Sequence, residues 1–413
     1  QEPLLCPDLT VAENVALGSE PTRRGMVDRA EQRARACAAL AQVAGDDFAQ
    51  RLAPTELVRR LAPADRQLVT IARALCQGEC RVLILDEPTS SLAAGDVERL
   101  FEAVGRLRDR GLVVLYISHF LEEVQRIADR YTVLRDGRTV ACGAMADATL
   151  DDIVHAMAGR AVEQLFVRSN RSTGEPVLEL DHLAGVLRPI DGSLTLHRGE
   201  VLGIAGLVGS GRTELLRAVF GLDAVKSGTV KVASAVGPAS PTRRWAQGVG
   251  IVSEDRKDEG LALDMTLADN LTLSKLGGLG PRGLVLKRPQ RAVAQRWIDK
   301  LRIRCRDPEQ PAADLSGGNQ QKLAIGRLLH HDVEVALLDE PTRGIDVASK
   351  ADIYRLIDEL ASQGKAVLMV SSYLPELLGT CDRIAVMCRG RLGEARSASE
   401  LDEQSILMEA TGA

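Results

Sequence analysis

Short aliphatic runs, each broken off by a glycine, an acid or a serine, recur along the chain. VLGIAGL (201–207), VGIVSE (249–254), VALLDE (335–340) and AVLMVSS (366–372) are the clearest. Runs this short and this continuously apolar predict strands buried on both faces, as in a parallel sheet. Elsewhere the spacing changes to that of a helix. In RQLVTIARAL, Leu68, Ile71, Ala72 and Leu75 fall at i, i+3, i+4 and i+7 and form one apolar stripe. TELLRAVFGL (213–222) has the same helical spacing. Strands alternating with amphipathic helices predict α/β layers. Residues 161–176, AVEQLFVRSNRSTGEP, turn polar without a sustained period and read as a linker. No apolar run reaches about 18 residues, so no segment is expected to span a membrane by itself.

The pattern is written twice. RVLILDEPTSSL (81–92) returns as VALLDEPTRGI (335–345), with Asp86 matching Asp339, an offset of 339 − 86 = 253. LAPADRQLVTIARAL (61–75) returns as LSGGNQQKLAIGRLL (315–329), and VVLYISHFLEEV (113–124) as AVLMVSSYLPEL (366–377). Three segments in one order at nearly one offset make an internal duplication. The expected organisation is a first module over 1–160, a linker over 161–176 and a second module over 177–413. Arg212 maps to 212 − 253 = −41, upstream of residue 1. The first copy is therefore expected to lack roughly 75 residues of a full module, its glycine-rich loop included.

Composition narrows the function classes. With 45% hydrophobic and 26% charged residues, the chain is an ordinary globular mixture. A net charge of -5 argues against binding nucleic acid through a broad basic surface. The eight cysteines are scattered without zinc-ribbon spacing, which suits reduced thiols. The N-terminus has neither the basic start nor the apolar stretch of a signal peptide.

Four constellations carry candidate chemistry. In GLVGSGRTE, Gly206, Gly209, Ser210, Gly211, Arg212, Thr213 and Glu214 follow an apolar strand and open a helix. This is the context of a phosphate-binding loop, with Arg212 where the pattern wants lysine and Thr213 placed to ligate Mg²⁺. The alternative is a glycine-rich turn that binds nothing. At two strand ends, Asp86 and Asp339 are candidates to hold Mg²⁺, and Glu87 and Glu340 to activate the attacking water. These acids could instead cap the helices that follow. His119, 119 − 87 = 32 residues after Glu87 at the end of a strand, is a candidate contact to a γ-phosphate, and Gln1 a candidate sensor of metal or water. Ser316, Gly317, Gly318, Asn319 and Gln320 begin a helix and could cradle an anion or simply cap it. The first copy reads Ala62, Pro63, Ala64 there, without the hydroxyl and with one N–H fewer.

Taken together, the loop, LSGGNQQ, the paired LDEPT segments and the strand-end histidine resemble ATP-binding-cassette (ABC) ATPases. GEVLGIAGLVGSGRTELL, VSEDRKDEGL, LDEPTRGIDVASK and QEPLLCPDLTVAENVALG extend the resemblance to the duplicated ATPase subunits of bacterial ribose, galactose and xylose importers. Purine-nucleoside importers of the same branch are near neighbours. The resemblance implies two tandem P-loop NTPase cassettes, each a RecA-like α/β core with a helical subdomain, the first incomplete. It also implies ATP and Mg²⁺ as cofactors, with ATP held between cassettes paired head to tail within the chain. One composite site would then join loop 206–213, Asp339, Glu340, Glu254 and Ser372 to Ala62, Pro63 and Ala64. The other would join Gln1, Asp86, Glu87, His119 and Ser316–Gly318 to a phosphate loop that residues 1–413 do not contain. The departures gather at the first of these sites, which is expected to hold nucleotide more than hydrolyse it. Implied partners are membrane permease subunits and a sugar-binding protein, placing the chain peripherally on the cytoplasmic membrane face, without nucleic acid. Two rival classes are a soluble duplicated cassette acting on ribosomes or nucleic acid, and a nucleotide-binding fragment without turnover.

Overall fold

The computed structural model describes residues 5–45, 52–78, 80–89, 92, 94–118, 121–135, 137–149, 152–153, 156–157, 166, 168–169 and 171–412. It divides into two compact units, Gln1–Met157 and Ala158–Ala413.

In the first unit, α1 (Val11–Ala16), α2 (Arg29–Ala44) and α3 (Pro63–Cys76) pack through Val15, Leu40, Leu68 and Ile71. Thr10 and Glu13 close a reciprocal capping box that fixes the start of α1. Strand β1 (Val82–Asp86) leads through α4 (Ala94–Asp109) to β2 (Val113–Ile117), which lies parallel to it. After α5 (Leu121–Ile127), β3 (Arg130–Arg135) and β4 (Arg138–Ala144) form an antiparallel pair.

The second unit carries two sheets. The first is antiparallel and contains β5 (Pro176–Gly185), β6 (Gly192–His197) and β8 (Val225–Val232). The second is built around β7 (Val201–Gly206), which leads through the glycine-rich loop into α6 (Arg212–Phe220). With β9 (Val249–Val252), β10 (Val335–Asp339), β11 (Ala366–Val370) and β12 (Arg383–Cys388), the parallel order is β9–β10–β11–β7–β12. All four aliphatic runs expected to form buried parallel strands do so, because helices and the antiparallel sheet cover both faces. The helical layer comprises α7 (Leu267–Thr272), α8 (Lys287–Leu301) and α9 (Gly317–His331); α10 (Val347–Ser362) and α11 (Leu374–Thr380) complete the core. Among the described residues no helix is long and apolar enough to cross a membrane.

The duplication is structural as well as textual. Adding 253 to each partner in the β1–β2 ladder, Val82↔Val113 through Asp86↔Ile117, gives the β10–β11 ladder, Val335↔Ala366 through Asp339↔Val370. The buried amide of Asn14 donates to Cys6, Leu9 and Thr10 carbonyls, and that of Asn270 to Ala262, Met265 and Thr266 carbonyls. Bonding the same three carbonyls keeps the same entry to α1 and α7. The segment read as a linker is not free at its C-terminal end. Arg171 is buried between Asp358 and Asp382 of the second unit, and Ser169 donates to Asp358.

Candidate functional site: a phosphate loop over two strand-end carboxylates

The loop after β7 is shaped by its glycines. Gly206 has φ +152°, and a Cβ there would lie 2.5 Å from the Met387 carbonyl oxygen and 2.8 Å from Ser210 Oγ. Only a bare backbone fits this close approach. Gly211, also at positive φ, opens α6, so the helix begins directly at the loop. Its unpaired N–H groups and partial positive charge face the loop side, a ready anion site. Ser210 sits beneath, buried, with no hydrogen-bond partner for its hydroxyl among the described residues.

Parallel pairing with β11 and β9 sets β10 beside this loop and brings its last residue, Asp339, to the same sheet end. Asp339 is 1% exposed. Thr213 favours its charged form, and Oδ1 has no hydrogen-bond partner among the described residues. Burial pushes Asp339 up to about 6, against the influence of Thr213; the Glu340 charge raises it further and that of Arg212 lowers it. A buried carboxylate with one unpartnered oxygen, beside a threonine hydroxyl, fits a hard divalent cation carried in with phosphates. The buried Ser210 hydroxyl and open helix N-terminus fit the phosphates themselves. Thr213 and Asp339 would thus hold Mg²⁺, whose charge would offset that of the nucleotide.

Glu340 follows with φ +45°, a region that costs a non-glycine residue, and its N–H donates to the Val370 carbonyl at 2.9 Å. Glu87 repeats both features, with φ +45° and a 2.9 Å bond to the Ile117 carbonyl. The same strained turn is kept in both copies. Plain helix capping by these acids would not require it. Burial raises the Glu340 pKa, and the nearby Arg212 guanidinium opposes the rise.

Arg212 does not extend from the loop. Its side chain is 7% exposed and lies beneath it; Nη1 donates to the Ser371 carbonyl at 2.7 Å and Nη2 to Glu340 Oε1 at 3.2 Å. Ser372 Oγ donates to Glu340 Oε2 at 3.1 Å. The structure therefore brings together Gly206, Gly209, Ser210, Gly211, Arg212, Thr213, Asp339, Glu340 and Ser372. Glu214 follows Thr213 in the first turn of α6.

Ser316 is the N-cap of α9 by position, yet its hydroxyl accepts from Asn319 Nδ2 at 2.8 Å and caps no backbone N–H. Asn319 Oδ1 in turn accepts the Arg304 N–H, and Gln320 donates to the Ala312 carbonyl. Gly318 is needed for packing: a Cβ there would meet Ser349 Oγ at 2.2 Å. Sequence reading gave no role to Arg256, which donates to the Gly317 carbonyl at 2.8 Å and the Arg343 carbonyl at 3.1 Å. Arg343 pairs with Glu254. The segment GIVSEDR is thereby tied to the start of α9 and to the turn after Glu340. The charged cluster Glu254, Asp255 and Arg256 within it was the available signal. Asp86 ends its strand as expected, while Gln1 and His119 lie outside the described residues.

The chain is similar to known transporter proteins along its length. A family model described as ABC transporter matches residues 1–90 and 190–343. The ribose import ATP-binding protein RbsA 2 of Streptomyces coelicolor is 44% identical over 98% of this chain and 78% of its own length. The ribose import ATP-binding protein RbsA of Rhodococcus jostii is 41% identical over 100% of this chain and 81% of its own. RbsA 1 of Rubrobacter xylanophilus, also a ribose import ATP-binding protein, is 44% identical over 100% and 81%. With a phosphate loop, strand-end carboxylates and this likeness along its length, the chain belongs to the ATP-binding proteins of the ABC transporter family.

Proposed function

We propose that this chain is the ATP-binding and ATP-hydrolysing subunit that energises a bacterial monosaccharide importer. It would act with membrane permease subunits and a sugar-binding protein, attached peripherally to the cytoplasmic face of the membrane. The observation that carries the nucleotide chemistry is the under-satisfied pair Ser210 Oγ and Asp339 Oδ1 beneath a glycine loop that opens a helix. The sugar assignment is supported by what the relatives are named for, ribose import, and by nothing in the loop itself.

The two copies have unequal roles in this reading. Loop 206–213 with Thr213 and Asp339 holds Mg-ATP, and Glu340, bonded to Arg212, turns it over slowly. The hydrolytic half is carried by Asp86, Glu87 and His119 together with the hydroxyl-bearing Ser316–Gly318 segment. There the Glu87 carboxylate accepts the proton of the attacking water.

The test is ATP turnover and sugar uptake, with the permease in vesicles, by the chain extended upstream of residue 1 to carry a phosphate loop for the first copy. Glu87→Gln is expected to abolish both, and Glu340→Gln to leave most of the turnover. The opposite pattern would overturn the assignment of roles. Turnover indifferent to the permease but stimulated by ribosomes or RNA would replace the importer reading with that of a soluble cassette protein.

A further inference from the structure

Arg212 stands at the position from which a phosphate loop ordinarily presents its cation, but its guanidinium is committed elsewhere. Two of its nitrogens are bonded, at 2.7 Å to the Ser371 carbonyl and at 3.2 Å to Glu340 Oε1, and only 7% of the side chain reaches solvent. Glu340 is equally closed in. Its side chain is 8% exposed, Oε1 is held by Arg212, and Oε2 takes the Ser372 hydroxyl at 3.1 Å. Asp339 and Glu214 add to the negative field around the guanidinium. A planar fork of fixed donors can satisfy a carbonyl and a carboxylate together, where a lysine ammonium is a single point of charge on a flexible stem. The same fork cannot stay in this bidentate grip and also direct those two nitrogens at a phosphate above the loop. An anion that recruits Arg212 must take it from Glu340, leaving a buried carboxylate without its cation.

We propose that Arg212 is a latch on the second nucleotide site, locking Glu340 and Ser371 together until the β-phosphate of a nucleotide withdraws it. The proposal rests on the nucleotide-holding reading of loop 206–213 and adds its regulation. One movement would couple two events: Arg212 turns to the phosphate, and Glu340 loses the partner that occupies Oε1. Binding energy is spent opening the pair, so affinity is low for a site with this many donors, and Glu340 becomes available to water only after nucleotide has entered. Arg212 is in this sense a positioning residue for Glu340.

The experiment is a binding titration of the full chain with Mg-ADP and Mg-ATP, using wild type, Glu340→Gln, Arg212→Met, Arg212→Lys and the double variant Arg212→Met with Glu340→Gln. Methionine preserves much of the buried volume, and lysine retains a cation should the methionine variant fold poorly. Glu340→Gln weakens the grip on Arg212 and is expected to tighten both ADP and ATP by about tenfold, the scale of one charge-assisted hydrogen bond. In the Arg212→Met background the same substitution should change ADP affinity by less than about twofold, the expectation when a coupling is absent. Arg212→Lys should show an intermediate dependence on Glu340→Gln.

Equal tightening in both backgrounds would overturn the latch, because the cause would then be relief of charge repulsion alone. Tightening of ATP without ADP would do the same, placing the effect at the γ-phosphate. Binding seen only once Glu340→Gln is introduced would support the latch in its strongest form. Binding in none of the variants would overturn the nucleotide-holding reading beneath it, a result distinct from binding without coupling.

Discussion

Strands β1 and β2 of the first unit and β10 and β11 of the second share one register, yet they live in different surroundings. Val335, Leu337, Ala366, Leu368 and Val370 are wholly buried, packed with Leu194, Leu196 and Leu215 from β6 and α6. Their counterparts 253 residues earlier, Val82, Ile84, Val113, Leu115 and Ile117, are 51–62% exposed. The opposite faces do not differ in this way, since Leu83 and Leu85 are as buried as the core of their unit requires. An aliphatic run therefore announces a strand that is fit to be covered on both sides, while the covering comes from other elements. In the second unit the antiparallel sheet and α6 provide it, and α6 also follows directly on the glycine-rich loop. Burial of one strand face and the glycine-rich loop are delivered by the same segment, 176–232.

The comparison can be broken most forcefully in the cores. Leu368→Ala should destabilise the second unit by about 2–5 kcal/mol, the range for deleting a fully buried leucine side chain. Leu115→Ala, at the matching but 53% exposed position, should cost the first unit under about 1 kcal/mol. Urea denaturation followed by hydrogen exchange resolves the two units. Equal losses would mean that the exposed face is covered in solution.

A second contrast lies at the start of α3 and α9. Gly318→Ala places a methyl 2.2 Å from Ser349 Oγ and should cost about 1–3 kcal/mol through forced repacking. The first unit already carries Ala64 at that position, buried without difficulty. There the reverse change, Ala64→Gly, should cost about 1 kcal/mol from helix propensity. Paired denaturation midpoints check both signs.

The buried carboxylate of Asp339 gives the second unit a pH signature. Asp339 titrates in the folded protein at about 6, above its ordinary 3.8, mainly because burial disfavours its charge. Between those values the folded state holds a proton that the unfolded state has released. Stability from this group is thus full at low pH, falls as pH rises from about 4 to about 6, and is level beyond. The loss is on the order of 1–3 kcal/mol, and Asp339→Asn should flatten it. Unfolding measured in a metal chelator across pH 4–7 provides the check. An unchanged slope in the variant would assign the effect to other groups.

Much of this was legible beforehand, for identifiable reasons. Continuous aliphatic runs, a loop of fixed spacing and a nearly constant offset of 253 or 254 are local or self-comparing signals, and the strands, α6 and the duplication follow from them. Side-chain commitments across long separations carry no such signal. Arg212 and Glu340 are 128 positions apart, so their pairing is decided by a rotamer beneath the loop. Arg171 meets Asp358 and Asp382 at separations of 187 and 211, and a segment without periodicity proved anchored at that end. The positive φ shared by Glu87 and Glu340 is equally invisible in LDEPT, because the strain belongs to the backbone rather than to the residue type.

Hydrogen exchange with and without Mg-ATP tests the central claim most directly, that loop 206–213 over Asp339 holds a nucleotide. The account predicts slowed exchange at the amides of Gly206 through Leu216 and in the turn after Asp339, with residues 82–117 little changed. Unchanged exchange in the loop, or protection confined to the first unit, would contradict it.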